Sequence, residues 1–459
     1  MTKKNLSKRF TALLAATTLA ATMGLGLVGC GAGTEGGDAA QANNTEIVAT
    51  VSDDANATQG ATDQQAGQPP AMPGGQQPGE PPNGSGGPGG PGGGSSTVEQ
   101  GSAATEITTD GTYSKTTYSS NDSDENALRV TGATVTLDGI TVNKTGGAVS
   151  NTETGDFYGM NAGLLATDGA QVTITGATVN TSAQGGNGVF SYGSGTVVNI
   201  SDSTITTTAN NSGGIQTTGG ATTNATNLTV NTSGNSSAAI RSDRGGGTVN
   251  VTDGSYSSAG TGSPAIYCTA DITVTGAVLK DSNSESVVIE GGNNVTLNDC
   301  TVTGNDATLN GQATYKTNVL IYQSMSGDAA EGNSTFTMNG GSMTALTGAM
   351  FHVTNVTTTI TLSDVDFTYA SDSKVFLDAS SDSWGTSGSN GGHVTLILDN
   401  QDITGAISMD ANSSVDLTMK NGSTWKLTAD SYVTSLSGDT SGIDLNGHTL
   451  YVNGVAWSK

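Results

Sequence analysis

From residue 105 onward the chain repeats one arrangement of apolar and polar positions. Apolar or small residues recur at offsets 0, 2, 5 and 7 of phrases such as TVTLDGITVN, QVTITGATVN and NVTLNDCTVT, with polar residues between them. Nine such quartets run from Val135/Leu137/Ile140/Val142 and Val172/Ile174/Ala177/Val179 to Ile360/Leu362/Val365/Phe367, at spacings of 37, 26, 25, 26, 23, 23, 41 and 24 residues. Two period-two alternations around a two-residue corner predict two short strands joined at a bend. A third strand precedes each quartet, with inward residues expected at Leu165, Val189, Ile215, Ile240, Ile266, Ile289, Ile321 and Phe351.

Three short strands in a turn of 23 to 26 residues, with Gly and Asn at the corners, predict an all-β, single-stranded parallel β-helix. A β-sandwich would place hairpin turns at shorter spacing, and a propeller blade needs a longer repeat. The two long spacings predict insertions near residues 147–160 and 303–333. Less regular repeats at Leu396/Leu398/Gln401/Ile403, Val415/Leu417/Met419 and Ile443/Leu445/His448/Leu450 predict final turns and a C-terminal cap. The expected division is a β-helix over 105–385 and final turns with cap over 386–459.

The outward positions differ between strands. In the quartet strand they form a column of Thr136, Thr173, Asn199, Asn224, Asn250, Thr273, Thr296, Thr337 and Thr361, a flat Thr/Asn wall. Threonine is a soluble residue that suits strands, and that suffices to account for the wall; an ordered surface array of the ice-binding kind is the alternative. The preceding strand is expected to present Ala166, Phe190, Gln216, Arg241, Tyr267, Glu290, Tyr322 and His352 about 4.8 Å apart, with Tyr192 and Asp243 two residues further along. Aromatic faces suit the C–H side of a pyranose, while Arg, Asp and Glu bond hydroxyls or carboxylates directionally. The stripe is therefore expected to bind polysaccharide or another glycan, unless its members only stabilise one another as surface pairs.

Charge and the N-terminus place this domain. Lys3, Lys4, Lys8 and Arg9 precede an apolar run from Leu13 to Val28, the pattern of an export signal. Leu27-Val28-Gly29-Cys30 resembles the bacterial lipobox, which implies cleavage before Cys30 and lipidation of its thiol; an ordinary secretory signal or a retained apolar helix are the alternatives. Residues 30–104 follow as the lipidated Cys and a Pro/Gly-rich tether, with eight of the nine prolines between Pro69 and Pro91. The expectation is a signal peptide over 1–29 and a protein on the extracellular face of a bacterial membrane, touching the membrane through its lipid only. Without residues 1–29 the chain keeps eleven basic residues against forty acidic ones. Such a balance excludes nucleic acid and anionic surfaces as partners, because both demand a cationic face. The chain is expected to act as a monomer.

Over roughly residues 105–459 the repeat resembles the pectin-lyase-like right-handed β-helix superfamily, and it is similar to lipid-anchored, Gly/Pro-tethered β-helix proteins of Gram-positive gut bacteria. The resemblance implies the right-handed helix but no activity, since this fold hosts lyases, hydrolases, adhesins and binding proteins. In lyases of the superfamily a basic residue abstracts a proton beside a uronate carboxylate, and Arg241 with Asp243 and Glu290 could mimic that arrangement. The polygalacturonase motifs Asn-Thr-Asp, Gly-His-Gly and Arg-Ile-Lys are absent, and the lone Asp-Asp pair, Asp53-Asp54, lies in the tether. No catalytic residue is assigned, and glycan capture or adhesion stands ahead of a lyase or a structural or ice-binding role. No cofactor is implied; Ca²⁺ suits the acidic composition, yet no Gly-Gly-x-Gly-x-Asp repeat appears. His352, His393 and His448 fall on different turns, Cys300 on a core column, and Cys268 at a strand position that predicts no disulfide with it. Trp384 is expected as a plug over the C-terminal core, with a sugar platform as the alternative.

Overall fold

The computed structural model describes residues 97–369 and 374–458. They form a parallel β-helix in which each strand pairs with its counterparts one turn before and one turn after. Val172 lies between Val135 and Val198, and the same register carries the quartets through Thr223, Val249, Ile272, Val295, Phe336 and Ile360. The uneven spacings in sequence thus become an even ladder in space, the extra residues being expelled as loops. Val, Ile and Leu of the quartets fill the interior, each fully buried side chain contributing roughly 1.5–3 kcal/mol. The N-terminal turn begins at Ser102–Ala103. At the other end Leu450–Val452 pairs antiparallel with Val455–Ala456, a hairpin that closes the last edge. The buried tryptophan of the C-terminal core is Trp425, whose indole N–H donates to the Gly405 carbonyl at 2.9 Å.

The corner between the two quartet strands is a single conformational column. Gly139, Gly176, Asp202, Asn227, Asp253, Gly276, Asp299, Gly340, Asp364, Asn400 and Asn421 all have positive φ, between 50° and 70°. Only Gly, Asn and Asp adopt that region at low cost. Aspartates never stack directly on one another in this column, which avoids like-charge contact at the spacing of one turn. Asn227 instead donates to Asp202 at 2.7 Å, and Asn400 donates to Asp364. Above Asp253 and Asp299 stand glycines, where a Cβ on Gly276 or Gly340 would lie 2.5 or 2.4 Å from the carboxylate oxygen below.

A second corner is held by buried hydroxyls. Thr181, Thr207 and Thr232 face inward and donate to the carbonyls of Gly186, Ser212 and Ser237, five residues on. Ser212, Ser237 and Ser263 in turn accept from the backbone N–H of Gly186, Ser212 and Ser237 one turn below. Buried polar groups are tolerable because they satisfy one another from turn to turn.

The remaining sheet departs from the expected register at three turns. Leu164 rather than Leu165 faces the core there; Leu165 points outward and Ala166 inward. Ile289 and Ile321 do face inward, but as the second inward residue of their strands, after Val287 and Val319. The outward column therefore runs Leu165, Phe190, Gln216, Arg241, Tyr267, Val288, Leu320 and His352. Glu290 and Tyr322 pair with each other two residues further along. Each misplaced position sits in a run of three apolar residues, Leu164-Leu165-Ala166, Val287-Val288-Ile289 or Leu320 with its neighbours Val319 and Ile321. Such a run leaves the phase open at Leu165, and at the other two turns it hides which inward residue comes first. The outward apolar residues Leu165, Val288 and Leu320 are buried from outside, so this face is covered.

Candidate functional site

Three excursions converge on that outward face: residues 145–163, the pair of loops 305–316 and 323–332 that flank the strand Thr317–Tyr322, and residues 379–392. The first holds a short helix, Thr152–Tyr158, started by the Asn151 side chain accepting from the Thr154 N–H at 3.2 Å and ended at Gly159 with φ 79°. It docks through side chains of the sheet below: Gln216 donates to the Asp156 carbonyl and Thr218 to the Phe157 carbonyl, both at 2.6 Å. Phe190 and Gln216 of the expected stripe are consequently fully buried, Phe190 packing with Leu165 and Ala162. Tyr192 is half-buried, edge-on to Tyr158 at 5.5 Å between ring centroids.

Arg241 is 8% exposed and carries the first of two ionic connections between sheet and excursions. Its Nη2 lies 2.9 Å from Asp243 and 3.0 Å from Asp156 of the helix, and its Nη1 donates to the Ser236 carbonyl at 3.4 Å. Burial works against the guanidinium charge, but the two carboxylates outweigh it and hold the group protonated above its ordinary range. Burial also pushes Asp243 up to about 7 despite Arg241, and raises Asp156. The second connection is Arg244, bonded to Asp328 of the second excursion at 2.8 Å and lying 4.1 Å over the Phe157 ring.

One turn further, Glu290 gathers hydroxyls. Tyr267 donates to it at 2.5 Å, Tyr322 at 3.1 Å, and Ser324 of the second excursion also bonds it. Burial raises both phenols well above their ordinary range, the buried Glu290 beside them adding to it. The structure thus brings Arg241, Asp243, Tyr267, Glu290 and Tyr322 into one polar cluster. His352 stands apart in a second one. It is fully buried, with Nε2 3.6 Å from Asp382, Nδ1 3.2 Å from the Asp378 carbonyl, and the Tyr315 ring 4.8 Å away. Burial would raise Asp382, but the His352 imidazole beside it and hydrogen bonds donated by Thr314 and the Ser383 N–H hold it at about 2. Through Thr314 and Asp382 the second and third excursions are tied together.

Between the excursions a run of cavities remains. One of about 330 Å³ is bounded by Arg241, Asp156, Asp243, Asp328, Tyr267 and Tyr322. A small one of about 70 Å³ continues from Tyr267 and Tyr322 to Trp384. A third, of about 710 Å³, extends from Trp384 past Gln323 and Asn355 to His393. Tyr267, Tyr322 and Trp384 are half-buried and line the junctions, with Tyr322 and Trp384 edge-on at 4.7 Å. Trp384 is therefore not a plug over the C-terminal core: the Gly/Ser loop carries it back onto this face, and Trp425 fills the core instead.

Sequence reasoning missed Asp156, Phe157, Asp328, Tyr315 and Asp382, all on excursions. The lengths of the insertions were legible, whereas their landing points depend on pairings across up to 84 residues. The Thr/Asn wall has its expected register, and its amides bond one another: Asn224 donates to Asn199 at 2.8 Å and Asn250 to Asn224 at 2.9 Å. Cys268 and Cys300 are buried free thiols. Among the described residues no group of three or more His, Cys, Asp and Glu is arranged to hold a metal ion. Cys30 and the expected tether as far as residue 96 lie outside the described residues, whereas its last part, expected as tether to 104, already joins the β-helix through Ser102–Ala103. No protein-family model, curated protein or solved structure matches this chain.

Proposed function

We propose that the protein is a lipid-anchored surface protein that binds a glycan chain in the trough running from Arg241 past Tyr267 and Tyr322 to Trp384. The carrying observation is the set of three half-buried aromatic residues lining linked cavities of about 330, 70 and 710 Å³. Aromatic rings at the joints of a polar trough offer stacking faces to successive sugar rings, with amides and carboxylates placed for their hydroxyls. Loops held on a rigid scaffold are the usual location of such sites. The lipobox-like Leu27-Val28-Gly29-Cys30 supports anchorage at the outer membrane face, and the resemblance to pectin-lyase-like β-helices is in keeping with a polysaccharide ligand.

Capture suits the trough better than lyase chemistry through Arg241. A general base must give up its proton before the reaction, and Arg241 is held protonated by Asp156 and Asp243. The test is a glycan array of the full chain, followed by calorimetry with the ligand found. Trp384→Ala and Tyr322→Ala should each weaken binding at least tenfold while thermal melting stays cooperative. A folded wild type that binds no glycan, or undiminished binding by both variants, would overturn the proposal.

A further inference from the structure

We infer that the cavity between Arg241 and Asp328 selects a sugar carrying a protonated amine over one carrying a carboxylate; the inference rests on the glycan reading above. Glu153, Asp156, Asp243 and Asp328 line this cavity with Arg241, and Arg244 reaches it only through its bond to Asp328. Four carboxylates against two guanidiniums leave two negative charges in excess with Asp243 ionised and one with it protonated, so the balance stays negative at pH 6. No guanidinium of the cavity wall is open to a new anion, since Arg244, 43% exposed, stands outside that wall. Arg241 Nη2 is shared by Asp156 and Asp243, its Nη1 bonds Ser236, and Arg244 is held between Asp328 and the Phe157 ring. A uronate entering here would meet carboxylates whose cations are already paired.

The second observation is an acceptor with nothing to accept. Asp156 is 8% exposed, its Oδ2 bonds Arg241, and its Oδ1 is buried without a hydrogen-bond partner. A buried, unpaired carboxylate oxygen is costly, and a donor supplied by a ligand relieves that cost. An ammonium brings both the donor and the charge, and forms a stronger bond than a hydroxyl. The raised positions of Asp156 and Asp243 have the same origin, since burial penalises a negative charge that lacks sufficient cationic partners. The volume of about 330 Å³ falls within the range of small-ligand pockets, and Phe157, Pro264 and Tyr267 supply apolar wall.

The test is calorimetry of the full chain at pH 6.0 with three probes: a β-1,4-linked glucosamine hexamer, its N-acetylated counterpart and an oligogalacturonate. The glucosamine hexamer should bind at least tenfold more tightly than the other two, and Asp156→Asn, which keeps the side-chain shape, should abolish the preference. Because Asp156 also holds Arg241, thermal melting accompanies that variant, and Asp328→Asn at the more exposed edge serves as a second, expected to weaken the preference several-fold. Oligogalacturonate binding equally or more tightly would overturn the inference while leaving the glycan reading standing. A preference unchanged in both folded variants would overturn the assignment to this cavity. Absence of binding to all three probes and to the array would overturn both.

Discussion

Arg241 illustrates how a single side chain ties the face together. Truncation would leave Asp156 and Asp243 buried beside each other with no cation, and breaking a buried pair in this way costs about 3–5 kcal/mol. Arg241→Ala is therefore expected to lower the thermal midpoint by several degrees, which makes it a poor probe of ligand binding; differential scanning calorimetry of the variant checks this. Buried carboxylates also make stability depend on pH. Burial pushes Asp281 and Asp306 up to about 7, near Glu285, where they accept backbone N–H bonds from Ser284, Asn305 and Thr317 at the base of the second excursion. A pKa raised on folding gives a contribution complete below about 4 and lost as pH rises through about 7. Asp382 and Asp410 behave oppositely: burial would raise them, but hydrogen bonds hold both at about 2, so their contribution is present above about 4 and lost as pH falls through about 2. The urea midpoint should accordingly be higher at pH 5 than at pH 8.5, and Asp281→Asn should flatten that slope; a midpoint rising toward pH 8.5 would contradict the assignment.

At the scale of elements, the corner column gives a sharper substitution rule than composition does. Gly276→Ala places a Cβ 2.5 Å from the Asp253 carboxylate at a φ of 70°, whereas Gly169→Ala, at φ 77°, meets nothing within 4 Å. Gly169→Ala should cost about 1–2 kcal/mol from backbone strain alone, and Gly276→Ala more. Gly276→Asn brings the same Cβ but should be tolerated better than Gly276→Ala, because Asn adopts positive φ more readily and, once the Asp253 carboxylate turns aside, its amide can donate to it as Asn227 does to Asp202. Chemical denaturation of the three variants ranks them. The quartet strands were legible down to their register because one face is mostly apolar or small and the other mostly polar. The third strand was legible in existence, wrong in phase at Leu165 and two residues late at Ile289 and Ile321, which do face inward, since its outward residues are themselves apolar where excursions cover them. A covered outer face erases the alternation from which the phase would be read.

For the molecule as a whole, the β-helix behaves as a rod with one plain side and one decorated side. The Thr/Asn wall repeats from Thr136 to Thr361, its asparagines bonded to one another, while three excursions gather on the opposite sheet and leave the trough between them. That distribution was only half legible. The aromatic and charged residues of the third strand marked the face on which the excursions land, but the partners that turn an open stripe into a trough sit on loops whose landing sites no local pattern specifies. The central claim is that ligand binding occurs on the decorated side. It is tested most directly by hydrogen exchange with mass spectrometry on the full chain, with and without the glycan found by array. Protection concentrated in residues 310–325 and 381–393, with the strands of the Thr/Asn wall unchanged, is the predicted result; protection along the wall with none in those loops would contradict it.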